Sequence, residues 1–308
     1  MLYRYFFIGL GYAINLALNN VFAANMANQT VILGAAHGSY GLGGVVCPII
    51  ATAMVSRGIL WSRFFLIPLV LRVGVFFFTG WANRGYESEP TSQFSAGLQQ
   101  IASRQRAELG EPTKWQLLRR AMKNRTTIIG ATFIFAYQGA EVSISGWVIS
   151  YLISFRGGDP YKVGFVTAGF WGGITLGRFV LSHATPRIGE QLSVYILLAG
   201  TLAFQLLVWQ VPNIITEAVA VSIEGLLLGP IYPSTQTIFT RLLPANIQMT
   251  SISFISSAGS SGGAVIPLIV GLASASAGTW VLHPICISMF AVMTACLLLL
   301  PKVVKPTD

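Results

Sequence analysis

The segment SSAGSSGGAVIPLIVG, residues 256–271, lies within a longer stretch, Leu242 to Pro301, that contains no Asp, Glu, Lys or Arg. A second stretch of this kind runs from Tyr5 to Ser56. A helix needs about 20 apolar residues to cross the hydrocarbon core of a bilayer, so each stretch is long enough for at least two membrane spans. We therefore interpret the chain as an all-α polytopic membrane protein.

The overall composition agrees with this interpretation. Hydrophobic residues make up 54% of the 308 residues and charged residues only 9%, whereas a soluble domain carries about 25% charged residues. The net charge is +9, but eight of the nineteen basic residues lie in one polar connection, Arg84 to Arg125. Basic residues clustered beside membrane spans are typical of a cytoplasmic loop, so we expect no nucleic-acid partner.

The sequence offers no pattern that predicts catalysis. Its three cysteines, Cys47, Cys286 and Cys296, lie inside apolar stretches without metal-ligand spacing, and we interpret them as packing residues rather than a disulfide framework. The patterns of a nucleophile elbow, a phosphate-binding loop and an ATP-binding domain do not occur either. We therefore expect no enzymatic activity, no cofactor and no metal site.

The apolar stretches and their turn residues divide the chain into membrane spans. The pattern predicts nine of them, at 4–26, 31–54, 61–82, 126–154, 161–183, 191–209, 213–241, 247–277 and 279–300.

The long polar connection divides the spans into two groups. We predict a partial N-terminal bundle of three spans (1–82), a cytoplasmic linker (83–125) and a C-terminal six-helix bundle (126–308). Within the linker, 96–123 has the mixed charges of a helix that lies along the membrane surface.

The distribution of Lys and Arg predicts the orientation. With 83–125 in the cytoplasm, its eight basic residues join five others on that side, against five on the opposite side and one, Arg72, within a span. This asymmetry favours a cytoplasmic linker.

An internal repeat points to one class of membrane protein. GGVVCPII at 43–50 matches GGAVIPLI at 262–269, and the two segments lie six predicted helices apart. Six-helix halves related by a parallel repeat are typical of a large class of secondary transporters.

Stretches rich in small residues follow one another at one-helix spacing along the chain. They are GLGYAINLALNN (9–20), AAHGSYGLGGVVCPIIAT (35–52), YQGAEVSISGWVISYL (137–152), GFWGGITLGRFVLSHATPRIGE (169–190), GLLLGPIYPSTQT (225–237) and SSAGSSGGAVIPLIVG (256–271). In this order they resemble the major facilitator superfamily and, within it, a fungal branch similar to fucose permeases.

The resemblance runs from the family's fourth helix to its twelfth, and the first three helices have no counterpart. It implies helices 4–12 of a six-plus-six arrangement that works by alternating access. We expect a chain beginning at Met1 to transport poorly, because by resemblance it lacks a helix that closes the cavity.

Glycines in the fifth span predict a close helix contact. Gly169, Gly173 and Gly177 stand four residues apart, a spacing that lets membrane helices approach closely. Static packing and sliding during alternating access both fit this pattern. The stretch GRFVLSHATPRIGE resembles the superfamily's gating motif, which implies a gating role for Gly177, Arg178 and Arg187. Cytoplasmic-side charge alone also explains the two arginines.

Polar pairs in other spans are candidates for contact with a solute. Tyr232 and Gln236 lie four residues apart on a span that prolines interrupt, and Asn15 and Asn19 share a face of the first span. Hydrogen bonds between helices are the alternative role. By resemblance, the helices of Asn15, Asn19 and Tyr232 line the cavity.

An isolated acid lies within YQGAEVSISGW, residues 137–147. Glu141 shares a polar stripe with Gln138 and Ser145, and Trp147 offers a flat apolar surface nearby. An acid inside the membrane that takes up and releases a proton is what a proton-coupled carrier requires. A hydrogen-bonded side chain that locks two helices together is the alternative.

These patterns lead to a functional hypothesis. We expect a secondary active transporter, a proton symporter of a sugar or fungal metabolite, in the plasma membrane rather than the vacuole. Its partners are then a small-molecule solute, protons and the lipid bilayer. A non-transporting membrane sensor, or a pseudo-transporter left by truncation, is the alternative.

Overall fold

A computed structural model describes residues 7, 9–11, 29–82, 84 and 113–301 of the chain. Within these ranges, eight helical segments are long and apolar enough to cross a membrane. They match the second to ninth predicted spans, which confirms the prediction of an all-α polytopic bundle. The first predicted span, 4–26, lies almost entirely outside the described residues.

The helices follow one another with short connections, and short 3-10 turns at Trp61–Phe65, Leu181–His183 and Thr279–Val281 adjoin three of them. The helix bounds are α1 Gln29–Ser56, α2 Leu66–Ala82, α3 Lys114–Lys123, α4 Arg125–Ser154, α5 Pro160–Val163, α6 Val166–Val180, α7 Thr185–Ile188, α8 Glu190–Gln210, α9 Ile214–Leu228, α10 Ile231–Leu242, α11 Ala245–Ala277 and α12 Leu282–Leu299.

Polar side chains fix where several helices start. The Asn124 side chain accepts a hydrogen bond from the Thr127 N–H at 3.1 Å at the start of α4. Asn213 accepts one from the Thr216 N–H at 3.0 Å at the start of α9, and Asp159 caps α5 in the same way. These oxygens satisfy N–H groups that have no partner within the first helical turn.

Prolines act differently along the chain. Helix α9 ends at Leu228 and α10 starts at Ile231, so the predicted seventh span crosses as two helices with Pro230 between them. Pro48 and Pro267, in contrast, lie inside the continuous helices α1 and α11. Membrane helices tolerate an internal proline where neighbouring groups satisfy the carbonyl that it frees.

Helix α4 lies at the centre of the helices from α4 to α12. It packs along α11 and α12 and also contacts α6, whereas α1 packs against α6. The largest fully buried side chains include Phe133, Tyr137, Tyr151, Phe170 and Phe239. Helix α2 has no buried residue.

Helix α3 precedes the six spans of the C-terminal bundle. It corresponds to the last part of the predicted surface helix, 96–123. The Thr113 hydroxyl accepts from the Gln116 N–H at 3.3 Å, and the Gln116 side chain accepts from the Thr113 N–H at 3.0 Å. Ala121 is buried against α4 and α11, while Trp115 is 72% exposed. The rest of the predicted surface helix lies outside the described residues, and the division into three domains stays a prediction.

Candidate solute and proton site

The acid predicted to exchange protons lies in the middle of α4 and faces α6. Glu141 is 5% exposed, and its Oε2 lies 3.9 Å from Nη2 of Arg178. Neither Glu141 Oε2 nor Arg178 Nε has a hydrogen-bond partner among the described residues. The two side chains therefore form a long, incompletely hydrogen-bonded ion pair inside the bundle.

A tyrosine one turn before this acid connects α4 to the break between α9 and α10. Tyr137 is fully buried, and its hydroxyl donates to the Leu228 carbonyl at 3.2 Å. That carbonyl belongs to the last turn of α9, where backbone acceptors lack partners within the helix. The Tyr137 ring also lies 5.9 Å from the ring of Tyr232 on α10. The break in the seventh span thus lies beside the helix that carries Glu141.

The other predicted residues of α4 contact different neighbours. A methyl group added at Gly259 on α11 would lie 3.0 Å from Oε1 of Gln138, so Gln138 packs against α11. The Trp147 indole donates to the Pro267 carbonyl on the same helix at 3.2 Å. The Ser145 hydroxyl donates at 3.2 Å to the Val142 carbonyl of its own helix. The residues of the polar stripe predicted on α4 therefore face different helices. Glu141 faces α6, whereas Gln138 and Trp147 contact α11.

The predicted solute contacts on α10 lie close to the same region. Tyr232 is half-buried next to Tyr137, and neither the amide oxygen nor the amide nitrogen of Gln236 has a partner among the described residues. Asn15 and Asn19 lie outside the described residues. Within the described residues, the predicted site residues therefore lie on α4, α6 and α10.

The glycine face of α6 contacts backbone on α9. A methyl group at Gly173 would collide with the Ser222 carbonyl oxygen and lie 2.8 Å from the Leu226 nitrogen. Across the contact, a methyl group at Gly229 would lie 2.5 Å from the Ile174 carbonyl oxygen. Small residues on both helices thus let the two backbones meet directly.

The opposite face of α6 contacts α1. A methyl group at Gly44 would lie 2.7 Å from Cδ2 of Trp171, and one at Gly41 would lie 2.7 Å from Oγ1 of Thr175. The Tyr40 and Trp171 rings meet edge to face at 5.6 Å. Helix α6 therefore carries Arg178 between the α1 contact and the α9 contact.

The comparison with protein families decides which family this bundle represents. A family model described as Major Facilitator Superfamily matches residues 2–267. The chain belongs to the Major Facilitator Superfamily. The match covers most of the chain, and the chain is an integral, multi-pass membrane protein of this family.

A separate comparison with known proteins finds relatives of this chain, of which two are described here. "Bypass of stop codon protein 6" of Saccharomyces cerevisiae is 26% identical over 97% of this chain and 63% of its own length. A "Glucose/galactose transporter" of Brucella abortus is 32% identical over 49% of this chain and 36% of its own length. The chain thus spans less than two thirds of either relative, and the fucose-permease branch stays a prediction.

The residues that resemble the superfamily's gating motif lie in three different environments. A methyl group at Gly177 would collide with the Leu226 carbonyl oxygen, so this residue belongs to the contact between α6 and α9. Arg178 extends toward Glu141, and Arg187 is exposed. The gating role of all three stays a prediction.

Sequence reasoning missed an ion pair at the start of α8. Nη2 of Arg241, on α10, lies 2.9 Å from Oε1 of Glu190. Glu190 closes the gating-like stretch, which was the available signal, but its partner lies at the end of a different span. The described residues contain no group of three or more His, Cys, Asp or Glu side chains placed to hold a metal ion.

Proposed function

We propose that the chain is a secondary active transporter that moves a small organic solute by alternating access and couples this movement to protons. Membership of the Major Facilitator Superfamily supports the transport role. The observation that carries the coupling is the buried Glu141 carboxylate, 3.9 Å from Arg178 inside the bundle. A hexose is the proposed solute, because one relative is named a glucose/galactose transporter.

In this proposal, Glu141 exchanges its ionic partner for a proton. A buried charge is costly unless a well-placed opposite charge and hydrogen bonds compensate it. The 3.9 Å separation and the unpartnered Glu141 Oε2 leave that compensation incomplete. A proton on Glu141 removes the charge and releases the Arg178 guanidinium, which then becomes available to a solute hydroxyl group.

Helix α6 transmits this change in the proposed mechanism. It carries Arg178 and meets α1 on one face and α9 on another. At the α9 contact, glycines of α6 lie against backbone, whereas at the α1 contact Gly41 and Gly44 lie against the Thr175 and Trp171 side chains. The small residues limit the number of side-chain interactions that a relative movement of the helices has to break. The charge state of the pair is thereby linked to helix movement.

The test is uptake of radiolabelled D-glucose and D-galactose by liposomes containing the purified chain. We expect accumulation that is slow, because by resemblance the chain lacks a helix that closes the cavity, but that is driven by an inward proton gradient and abolished by a protonophore. Accumulation that is insensitive to the protonophore would contradict proton coupling. Sugar binding without any flux would contradict transport and favour the sensor.

A further inference from the structure

A second set of buried polar side chains lies on helices that carry neither Glu141 nor Arg178. It comprises Glu224 on α9, Gln205 on α8 and His283 on α12, which are 0%, 1% and 1% exposed. Polar groups buried this completely need hydrogen-bond partners, and a buried carboxylate also needs a cation or a proton. We name these three residues the Glu224 cluster.

The Gln205 amide bridges the two titratable groups. Its nitrogen donates to Oε1 and Oε2 of Glu224 at 2.5 and 3.2 Å, and its oxygen accepts from Nδ1 of His283 at 2.6 Å.

This arrangement fits two placements of one proton. In the first, Glu224 is protonated and His283 is neutral, with a hydrogen on Nδ1 and none on Nε2. In the second, Glu224 is ionised and His283 is an imidazolium that still donates from Nδ1. Between the two states, the O–H bond of Glu224 breaks and an N–H bond at Nε2 of His283 forms, so the net charge of the cluster stays zero.

The surroundings supply no cation for Glu224. Arg156, which follows α4, pairs instead with Glu217 on α9: its Nε lies 2.6 Å from Glu217, and its Nη2 donates to the Trp209 carbonyl at 2.7 Å. No ion pair to Glu224 exists among the described residues.

The other groups that face the cluster are uncharged. The Tyr151 ring from α4 meets His283 edge to face at 4.3 Å, and the buried Cys286 thiol lies near Glu224 on the α12 side. His283 Nε2 has no partner in the described part of the chain, which leaves one ring nitrogen available for proton exchange.

We propose that the Glu224 cluster is a proton-binding site, separate from the Glu141–Arg178 pair, in which one proton is held by Glu224 or by His283 with the Gln205 amide hydrogen-bonded to both. The site connects α8, α9 and α12, so the position of the proton affects three helices at once. The proposal does not depend on the identity of the solute.

Infrared spectroscopy of the purified chain in lipid nanodiscs tests the proposal without any transport assay. We expect the C=O stretching band of a protonated, hydrogen-bonded carboxyl group, and we expect Glu224→Gln to abolish it. Glu190→Gln is the matched control, because Glu190 is ion-paired with Arg241 and should contribute nothing to this band. Glu141→Gln, measured in parallel, assigns any component that comes from Glu141.

A second variant keeps the test decisive if Glu224→Gln does not fold. Gln205→Leu removes the amide N–H groups that donate to the Glu224 carboxyl group, so the C=O stretching band should move to the higher frequency of a carboxyl group that accepts no hydrogen bond. A band that persists in Glu224→Gln after the Glu141 component is subtracted, or that does not move in Gln205→Leu, would overturn the proposal. A chain without sugar flux that shows these band changes would refute the proposed transport but support the proton site.

Discussion

Glu141 on α4 and Arg178 on α6 bring Oε2 and Nη2 to 3.9 Å, with 7% of the acid side chain exposed and 28% of the arginine side chain. The arginine thus keeps contact with the surface while the acid is closed off. A charge-assisted hydrogen bond is about 2.7–2.9 Å long, so this pair is held loosely. A loosely held, enclosed carboxylate is suited to exchange its cation for a proton.

The first prediction concerns this carboxylate. Glu141→Gln keeps the shape of the side chain but cannot exchange a proton. We expect the variant to fold and to exchange sugar without a gradient, yet to lose accumulation driven by a pH gradient. Uptake and counterflow in proteoliposomes measure the two activities separately.

The control for this variant is Thr132→Ala on the same helix, since the exposed Thr132 hydroxyl donates to the Ile128 carbonyl of its own helix. It should accumulate sugar as the native chain does. Accumulation by Glu141→Gln that equals the native level between about pH 5 and about pH 8 would leave Glu141 with a structural role.

The second prediction concerns the contact between α6 and α9. A methyl group at Gly173 meets backbone atoms of α9, which cannot rotate away, whereas one at Gly172 has no neighbour within 4 Å. We expect Gly173→Ala to destabilise the fold by about 1–3 kcal/mol, as overpacking usually does. Gly172→Ala should be neutral or slightly stabilising, because alanine favours helix.

Thermal denaturation followed by fluorescence-detected size exclusion compares the two alanine variants directly. A lower melting temperature for Gly173→Ala alone supports the close backbone contact. Equal melting temperatures for the two variants would show that α6 and α9 do not meet as closely as described.

The third prediction concerns the ion pair just beyond the C-terminal end of α4. Arg156 lies 2.6 Å from the fully buried Glu217, donates to the Trp209 carbonyl, and lies over the rings of Tyr151 and Phe155 at 5.4 Å. Arg156→Met leaves a buried carboxylate without a cation, a loss that typically costs about 3–5 kcal/mol. Glu217→Met should cost less, because the arginine keeps its carbonyl and ring contacts.

A double-mutant cycle measures this coupling. The chain carrying both substitutions should be more stable than the sum of the two single effects predicts, because neither charge is left alone. Additive effects in thermal denaturation would argue against direct pairing of Arg156 with Glu217.

The fourth prediction concerns orientation. The eight basic residues of 83–125 favour a cytoplasmic linker, so a cysteine at Ser92 should react with a membrane-impermeant maleimide only after cells are permeabilised. The new cysteine is introduced into a chain in which Cys47, Cys286 and Cys296 have been replaced. Labelling in intact cells would show that the linker lies outside the cell and would contradict the predicted orientation.

The sequence by itself determined the membrane spans and their helical form. The stretch Leu242 to Pro301 contains no charged residue, and lipid offers no partner for backbone N–H and C=O groups, so a helix is the form in which such a segment satisfies them. Glycine spacing also predicted the close contact of α6, because residues four apart share a helix face. These features depend on local periodicity and solvent alone.

The partners of the polar residues were decided only by the tertiary structure. Periodicity places Gln138 and Glu141 on one side of α4, but it does not determine which helix that side meets. In the fold, Glu141 meets Arg178 on α6, while Gln138 packs against α11.

The Glu224 cluster depends even more on packing, because its three members come from α8, α9 and α12. Each lies in a different, largely apolar helix, and its sequence neighbours carry no sign of the others. The rotation and depth of three packed helices bring them together, and those quantities arise from contacts between distant parts of the chain.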